Sequence, residues 1–124
     1  DVFGDREIKA KCILPPYPRK MGTYIPKAVR KNVYELKDID FTQEYQDSHT
    51  AIALQIASEL NINSIYLTGY DAYAGNISEK EQELFHENQK LFKDFKNYKN
   101  CDLVSLTSTG YKQLKSNSVY SLIK

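Results

Sequence analysis

The chain has 124 residues and a mass of 14.3 kDa, with 41% hydrophobic and 27% charged residues. It is far shorter than the roughly 250 residues of a complete (β/α)8 barrel, and it has no run of about 18 apolar residues that could span a bilayer. Seventeen basic and sixteen acidic residues give a net charge of +1, which argues against nucleic acid or an anionic membrane as a partner. We therefore expect a single small globular domain over residues 1–124.

The N-terminal third of the chain predicts two short strands with a short helix between them. The apolar run at residues 11–14 is stopped by a Pro-Pro pair, which indicates a first buried strand. Pro26 suits the first position of a helix, where its missing N–H costs nothing, and this helix is expected to end near Arg30. Residues 32–36 then alternate in polarity and predict a second strand.

The middle of the chain predicts a buried helix followed by a strand. The helix runs from Ser48 to Leu60 and is apolar on more than one face, so we expect it to pack against a sheet. Ser48 is placed at the N-cap, where its hydroxyl could satisfy a free backbone N–H, and contact with a ligand stays open as a second role. The compact run from Ser64 to Thr68, closed by Gly69, predicts a central parallel strand.

A second long helix is predicted from Ser78 to about Phe95, opened by a capping box of Ser78 and Glu81. Acidic residues crowd its start and lysines its end, as the helix dipole favours. Its inner stripe comprises Leu84, Phe85, Leu91, Phe92 and Phe95. A strand is expected from Asp102 to Leu106, and the apolar tail at residues 119–123 is expected to be a short docking segment.

The order strand, helix, strand, helix, strand predicts an α/β domain of three layers, Rossmann-like, with a small and mainly parallel sheet of about four strands. A sheet this small has edges that another domain or a second copy of the chain could complete. Because residue 1 is not Met and Met21 is internal, we expect a C-terminal fragment of a longer protein. Cys12 and Cys101 lack CxxC spacing, which favours two buried thiols in a reducing cytoplasm.

Polar residues gather where ligands bind in open parallel sheets, beyond the carboxyl ends of the strands. The candidate binding residues are Ser48, His49, Thr50, Gly69, Asp71, Tyr73 and Thr107. Their hydroxyls, one carboxylate and the backbone N–H groups at a helix start suit a phosphate or a ribose. Purely structural roles stay open for Ser48 as a cap, Gly69 as a tight turn and Thr107 as part of a turn.

Signatures of common cofactor sites are absent from the sequence. Neither GxGxxG nor GxxxxGK[ST] occurs, which disfavours NAD binding and P-loop chemistry. His49 and His86 are too isolated to indicate a zinc cluster, and no paired-carboxylate spacing is present. We therefore expect no cofactor and no metal in this domain, and we assign no catalytic residue.

The segment Ser48 to Tyr73, SHTAIALQIASELNINSIYLTGYDAY, resembles the nucleotide-binding core of bacterial family 42 sialyltransferases and of the related motility-accessory and pterin-pyrophosphokinase-like domains. In those enzymes the helix start and the tyrosine after the strand contact the CMP part of the donor. The resemblance thus implicates residues 48–50 and Tyr73. The family has Thr-Ser-Gly at the helix start, and its histidine-bearing lid and upstream half have no counterpart here, so we do not expect this chain to catalyse a reaction alone.

A second resemblance covers more of the chain. Its segments are Ile25–Lys27, Val33–Leu36, Ser48–Ala51, Gly69–Asp71, the helix from Ser78 to Phe92, and Ser105–Thr107. They are similar to the C-terminal domain of 4-hydroxy-2-oxovalerate aldolase and HMG-CoA-lyase-like proteins, which place a barrel ahead of this domain, often among surface-polysaccharide genes.

This second resemblance implies an accessory domain of a cytoplasmic aldolase, a lyase of polysaccharide biosynthesis, whose chemistry belongs to an upstream catalytic domain of the same chain. The expected ligand is a nucleotide or nucleotide-sugar. Two alternatives stay open. One is a sialyltransferase-like catalytic core with His49 as base and Asp71 positioning a substrate, and the other is a non-catalytic module that forms homo-oligomers.

Overall fold

The computed structural model describes residues 9–17, 25, 27–71 and 75–123, which form an α/β arrangement. The elements in chain order are β1 (Cys12–Leu14), a 3₁₀ helix (Lys27–Asn32), β2 (Val33–Glu35), α1 (His49–Glu59), β3 (Ser64–Leu67), α2 (Glu79–Tyr98), β4 (Asp102–Ser105), β5 (Lys115–Ser116) and a second 3₁₀ helix (Val119–Leu122). The predicted α/β class with parallel strands is confirmed. Among the described residues, no helix is long and apolar enough to cross a membrane.

The strands form two small parallel sheets. In the first, β1 pairs with β2 and Cys12 lies opposite Val33. The second has the order β3-β4-β5, with Ile65 opposite Leu103. Among the described strands, β4 is the central one of this sheet and β3 is at its edge, so the prediction that β3 is central is wrong. The sequence did not predict β5, because a strand of two polar residues is too short to produce a periodic pattern.

Both helices pack into one hydrophobic cluster on one face of the three-stranded sheet. Ile65, Leu67 and Leu103 lie on this face, since alternate residues of a strand point the same way and Ile65 pairs with Leu103. The helices contribute Ala51, Leu54, Leu91, Phe92 and Phe95. Because the helices run back along parallel strands, the start of α1 lies at the edge where β3 and β4 end.

Helix α1 starts at its predicted position but is less uniformly buried than its composition suggests. Ala53 and Leu60 are exposed, whereas the polar side chains of Gln55 and Ser58 are buried. The Gln55 amide oxygen accepts a hydrogen bond from the backbone N–H of Asp40 at 2.9 Å, and its nitrogen donates to Asp40 Oδ2 at 3.0 Å. This buried glutamine fixes the loop that leads from β2 into α1.

Helix α2 has the expected cap and the expected inner stripe, with one exception. The Ser78 hydroxyl accepts from the backbone N–H of Glu81 at 3.2 Å, which confirms the predicted N-cap. Leu91, Phe92 and Phe95 are buried as predicted. Leu84 is 38% exposed, so its prediction as a core residue is wrong.

The C-terminal 3₁₀ helix does not dock on the described part of the chain. None of its residues is buried, and Tyr120 is 76% exposed. Docking of this tail stays a prediction, because apolar composition alone does not specify a partner surface. Cys12 and Cys101 are free thiols; Cys101 is buried, and burial raises its pKa, whereas Cys12 is half-buried.

Candidate functional site

An open pocket of about 510 Å³ lies between the start of α1 and the first half of α2. Its lining residues are Asp47, Ser48, His49, Thr50, Tyr70, Leu84, Glu87 and Asn88. This volume lies within the range of roughly 300–1,000 Å³ that small-molecule sites occupy. Three of the residues predicted from sequence, Ser48, His49 and Thr50, line this pocket. We call it the α1 pocket.

A neutral hydrogen-bond network forms the inner part of the α1 pocket. The Thr50 hydroxyl donates to Asn88 Oδ1 at 2.9 Å, and it lies 2.9 Å from the hydroxyl of Tyr70. Because a hydroxyl has a single hydrogen, Tyr70 is the donor to Thr50. The Asn88 amide nitrogen donates weakly to the Tyr111 hydroxyl at 3.4 Å. The network therefore joins α1, α2 and the segments that follow β3 and β4.

Aromatic packing fixes the orientation of the Tyr70 ring. The ring meets Phe92 edge-on with a centroid distance of 5.3 Å, and Phe92 meets Tyr111 in the same way at 5.4 Å. Phe85 stacks on Tyr111 at 4.9 Å. These contacts hold the phenol of Tyr70 against Thr50, so the polar floor of the pocket is supported from the core.

Five lining residues were not among the seven candidates predicted from sequence: Asp47, Tyr70, Leu84, Glu87 and Asn88. The last three have a helical spacing of three and four residues, which places them on one face of α2. The spacing shows that these three residues share one face of α2, but it does not show which part of the chain this face lies against. Asp47 directly precedes the predicted Ser48. Tyr70 lies between two predicted residues, and only the fold shows that its side chain turns towards α1.

The predicted residues Gly69, Asp71 and Thr107 meet in a second place, the strand-end loops (residues 68–71 and 106–111). The Thr107 hydroxyl donates to Asp71 Oδ1 at 2.6 Å and accepts from the backbone N–H of Gly69 at 3.4 Å. The Thr109 hydroxyl donates to the backbone oxygen of Tyr70 at 2.6 Å. These polar groups bond to one another, and none of the three predicted residues lines the α1 pocket.

Backbone conformation explains the glycine at position 69. Gly69 has a φ of +83°, in the left-handed region that other residues rarely adopt, and a Cβ built there would meet no atom within 4 Å. The turn itself, and not close approach of another group, therefore requires glycine. This confirms the structural role that the sequence had left open.

The remaining predicted residues have different outcomes. Ser48 is the N-cap residue of α1, but its side chain makes no capping hydrogen bond, so its predicted capping role is wrong. Its hydroxyl is consequently not occupied by the helix. His49 is the first residue of α1 and is exposed at the pocket. Tyr73 lies outside the described residues.

The charged groups of the α1 pocket are acidic. Asp47 precedes α1 and Glu87 lies on α2, and none of the described lining residues is lysine or arginine. The nearby Lys90 donates to Asp94 at 3.1 Å, and this hydrogen bond and the charge of Asp94 raise the pKa of Lys90. Within the described parts of the chain, no group of three or more metal-ligating side chains could hold a metal ion.

Comparison with known proteins identifies no relative of this chain. No family model, no curated protein and no solved structure matches it. The resemblances seen in the sequence stay predictions, and the function has to be argued from the pocket and its chemistry.

Proposed function

We propose that this chain binds a ligand of the nucleotide or nucleotide-sugar type in the α1 pocket. The observation that carries the proposal is the position of this pocket at the start of α1, beside the edge where β3 and β4 end. Ligands of parallel α/β sheets bind at that edge. The unoccupied hydroxyl of Ser48 and the backbone N–H groups of the first turn supply hydrogen-bond donors there.

The wider proposal is that the chain is the accessory C-terminal domain of a cytoplasmic aldolase-like enzyme of polysaccharide biosynthesis. Its partner is then an upstream catalytic domain of the same chain, and no cofactor is assigned to this domain. The support is the location of the similar segments. Ser48–Ala51 span the N-cap and the first residues of α1, Gly69–Asp71 follow β3, and Ser105–Thr107 start at the last residue of β4, so all three lie at the candidate binding edge.

Calorimetry and thermal-shift assays of the 124-residue chain with CMP, CDP, UDP and their sugars test the binding proposal. We expect at least one of these compounds to bind at millimolar concentration or below. A Leu84→Trp variant, which fills part of the pocket, is expected to abolish binding, whereas Leu60→Trp, at a 67% exposed position away from the pocket, preserves it. Absence of binding across the whole panel would contradict the proposal.

Exposed apolar side chains favour a second candidate function, that of a non-catalytic oligomerisation module. Tyr66 on β3 is 52% exposed, and Tyr120 and Ile123 of the C-terminal segment are 76% and 73% exposed. The edge of β3 is unpaired among the described strands. Sedimentation velocity over a range of concentrations tests this function: we expect a dimer that Tyr120→Ser weakens, and a monomer at every concentration speaks against it.

A further inference from the structure

We propose that the α1 pocket recognises a free amino group on its ligand, with Glu87 as the specificity-determining residue. The ligand class is then an amino sugar phosphate or its nucleotide-activated form. This inference rests on the proposed function and deepens it by naming a second charged group on the same ligand. The observation that carries it is a carboxylate in the pocket wall that has no partner in the described part of the chain.

The carboxylate of Glu87 has no counter-ion on its own helix. Glu87 is half-buried in the first half of α2, where it lines the α1 pocket. Lys90, three residues later, bonds to Asp94 at 3.1 Å. Glu83 lies one turn earlier, and like charges four residues apart disfavour a helix slightly. The local sequence therefore leaves the charge of Glu87 uncompensated.

The rest of the pocket lining does not compensate this charge either. No lysine or arginine is among the described residues that line the pocket, and no ion pair joins Glu87 to His49 there. Asp47 already has an interaction within the chain, so the available carboxylate is Glu87. A negative charge that is partly withdrawn from water costs free energy unless a cation pairs with it. A cationic group on the ligand compensates this cost.

Two hydroxyl oxygens of the pocket can accept the remaining hydrogens of an ammonium group. An ammonium group has three N–H donors and no acceptor. Tyr70 uses its own hydrogen on Thr50 and keeps lone pairs as acceptors. The Ser48 hydroxyl makes no capping bond and lines the same pocket. One charge-assisted bond to Glu87 and two neutral bonds to these oxygens would satisfy all three donors.

The amino group and the phosphate of such a ligand belong at opposite walls of the pocket. Glu87 is on α2, whereas the start of α1 carries the positive end of a helix dipole, equivalent to roughly half an elementary charge. An anionic group beside Glu87 would be repelled by its charge, and a cationic group there would be attracted. A ligand with a phosphate at the α1 wall and an ammonium group at the α2 wall fits both.

Isothermal titration of the 124-residue chain with three matched pairs of compounds tests the inference. The pairs are UDP-glucosamine with UDP-glucose, glucosamine 1-phosphate with glucose 1-phosphate, and glucosamine 6-phosphate with glucose 6-phosphate. Below the pKa of the amine, the members of each pair differ only by an ammonium group in place of a hydroxyl. We expect the amine of at least one pair to bind about fivefold more tightly than its hydroxyl counterpart, because its bond to Glu87 is charge-assisted.

A matched pair of variants on one helix separates recognition from a general charge effect. Glu87→Gln keeps the size of the side chain and is expected to remove most of the fivefold preference for the amine. Glu83→Gln, the same change one turn earlier at an exposed position that does not line the pocket, is expected to preserve it. Circular dichroism of each variant checks that α2 is retained.

The outcomes distinguish this inference from the proposed function. If both members of every pair bind equally, or if Glu87→Gln leaves the preference unchanged, the amino-group assignment is wrong while binding of the UDP-sugars still supports the proposed function. If the sugar phosphates show the preference but no nucleotide or nucleotide-sugar binds, the proposed function is wrong while the amino-group assignment stands. If no compound binds at millimolar concentration, both are wrong.

Discussion

The α1 pocket and the strand-end loops place similar polar residues at the same edge of the sheet, but they use them differently. In the loops, the hydroxyl of Thr107 and the carboxylate of Asp71 bond to each other. In the pocket, the hydroxyl of Ser48 lines the open space and makes no capping bond. Location beyond a strand end is therefore not enough to define a binding residue, because the chain itself can occupy its hydrogen-bonding groups.

The two regions nevertheless depend on each other through Tyr70. Its side chain belongs to the pocket, where it bonds to Thr50, and its backbone oxygen belongs to the loops, where it accepts from Thr109. Packing of its ring on Phe92 supports both. The loops hold the backbone in place so that the phenol can remain at the pocket.

The largest expected effect comes from the side chain that supports both regions. Phe92 is 0% exposed and touches the rings of Tyr70 and Tyr111. We expect Phe92→Ala to lower the free energy of unfolding by about 3–5 kcal/mol, because it leaves a cavity in the core. Urea denaturation measures this loss. Phe92→Leu fills more of the space and is the control; an equal loss in both variants would contradict the cavity explanation.

A smaller loss of stability is expected on removing a hydroxyl from the pocket, and its size should differ between Thr50 and Ser48. Thr50 is 7% exposed and bonds to Asn88 and Tyr70, so Thr50→Val should lower the free energy of unfolding by about 1–3 kcal/mol through the loss of these bonds. Ser48→Ala should change it by less than about 0.5 kcal/mol, since no capping bond is lost. Urea denaturation measures both losses. Equal losses of unfolding free energy in the two variants would contradict the conclusion that Thr50 contributes to stability through its hydrogen bonds and Ser48 does not.

A smaller difference in stability is expected between two threonine variants in the strand-end loops. Thr107→Val removes the hydrogen bond to Asp71, and we expect a loss of about 0.5–1.5 kcal/mol in the free energy of unfolding. Thr68→Val is the matched control at an exposed position just after β3. Ligand affinity, measured in the same pair by calorimetry, should not change, because neither residue lines the α1 pocket. Weaker binding in Thr107→Val alone would extend the site into the loops.

The smallest effect is expected at the opposite edge of the sheet, where Asp102 bonds to Lys115 at 2.9 Å on the surface. The hydrogen bond and the charge of Lys115 lower the pKa of Asp102 from its ordinary 3.8. Because the folded pKa is below the unfolded one, the contribution to stability is present above the ordinary value and is lost as the pH falls through the lowered pKa. The urea denaturation midpoint, measured at a series of acidic pH values, tests this loss of stability. In Lys115→Met the midpoint should depend less on pH over this range.

Much of the fold could be predicted because its signals are local. The start of α2 follows from the bond between Ser78 and the Glu81 N–H, three residues away in the chain. The core positions of α2 follow from helical periodicity. The predictions that were wrong concerned features that depend on residues farther away in the chain. The edge position of β3 depends on β5, and burial of Gln55 in α1 depends on Asp40, fifteen residues earlier.

The candidate site could be predicted only as a collection of nearby residues. Six of the seven candidates are described, and the fold divides them evenly between the pocket and the loops. The sequence also identified Ser48, His49 and Thr50 as a group at the start of α1. It did not identify Glu87 or Asn88, because helical spacing alone does not say which helix face meets a pocket.

The order of elements, the parallel α/β class and the first residues of both helices were determined by the sequence itself, since they depend on periodicity and on bonds between near neighbours. Only the tertiary structure decided which polar groups stay available to a ligand. The bond from Thr107 to Asp71 spans 36 residues, and the bond from Thr50 to Asn88 spans 38. Whether a hydroxyl is already occupied by the chain therefore depends on residues that only folding brings within hydrogen-bond distance.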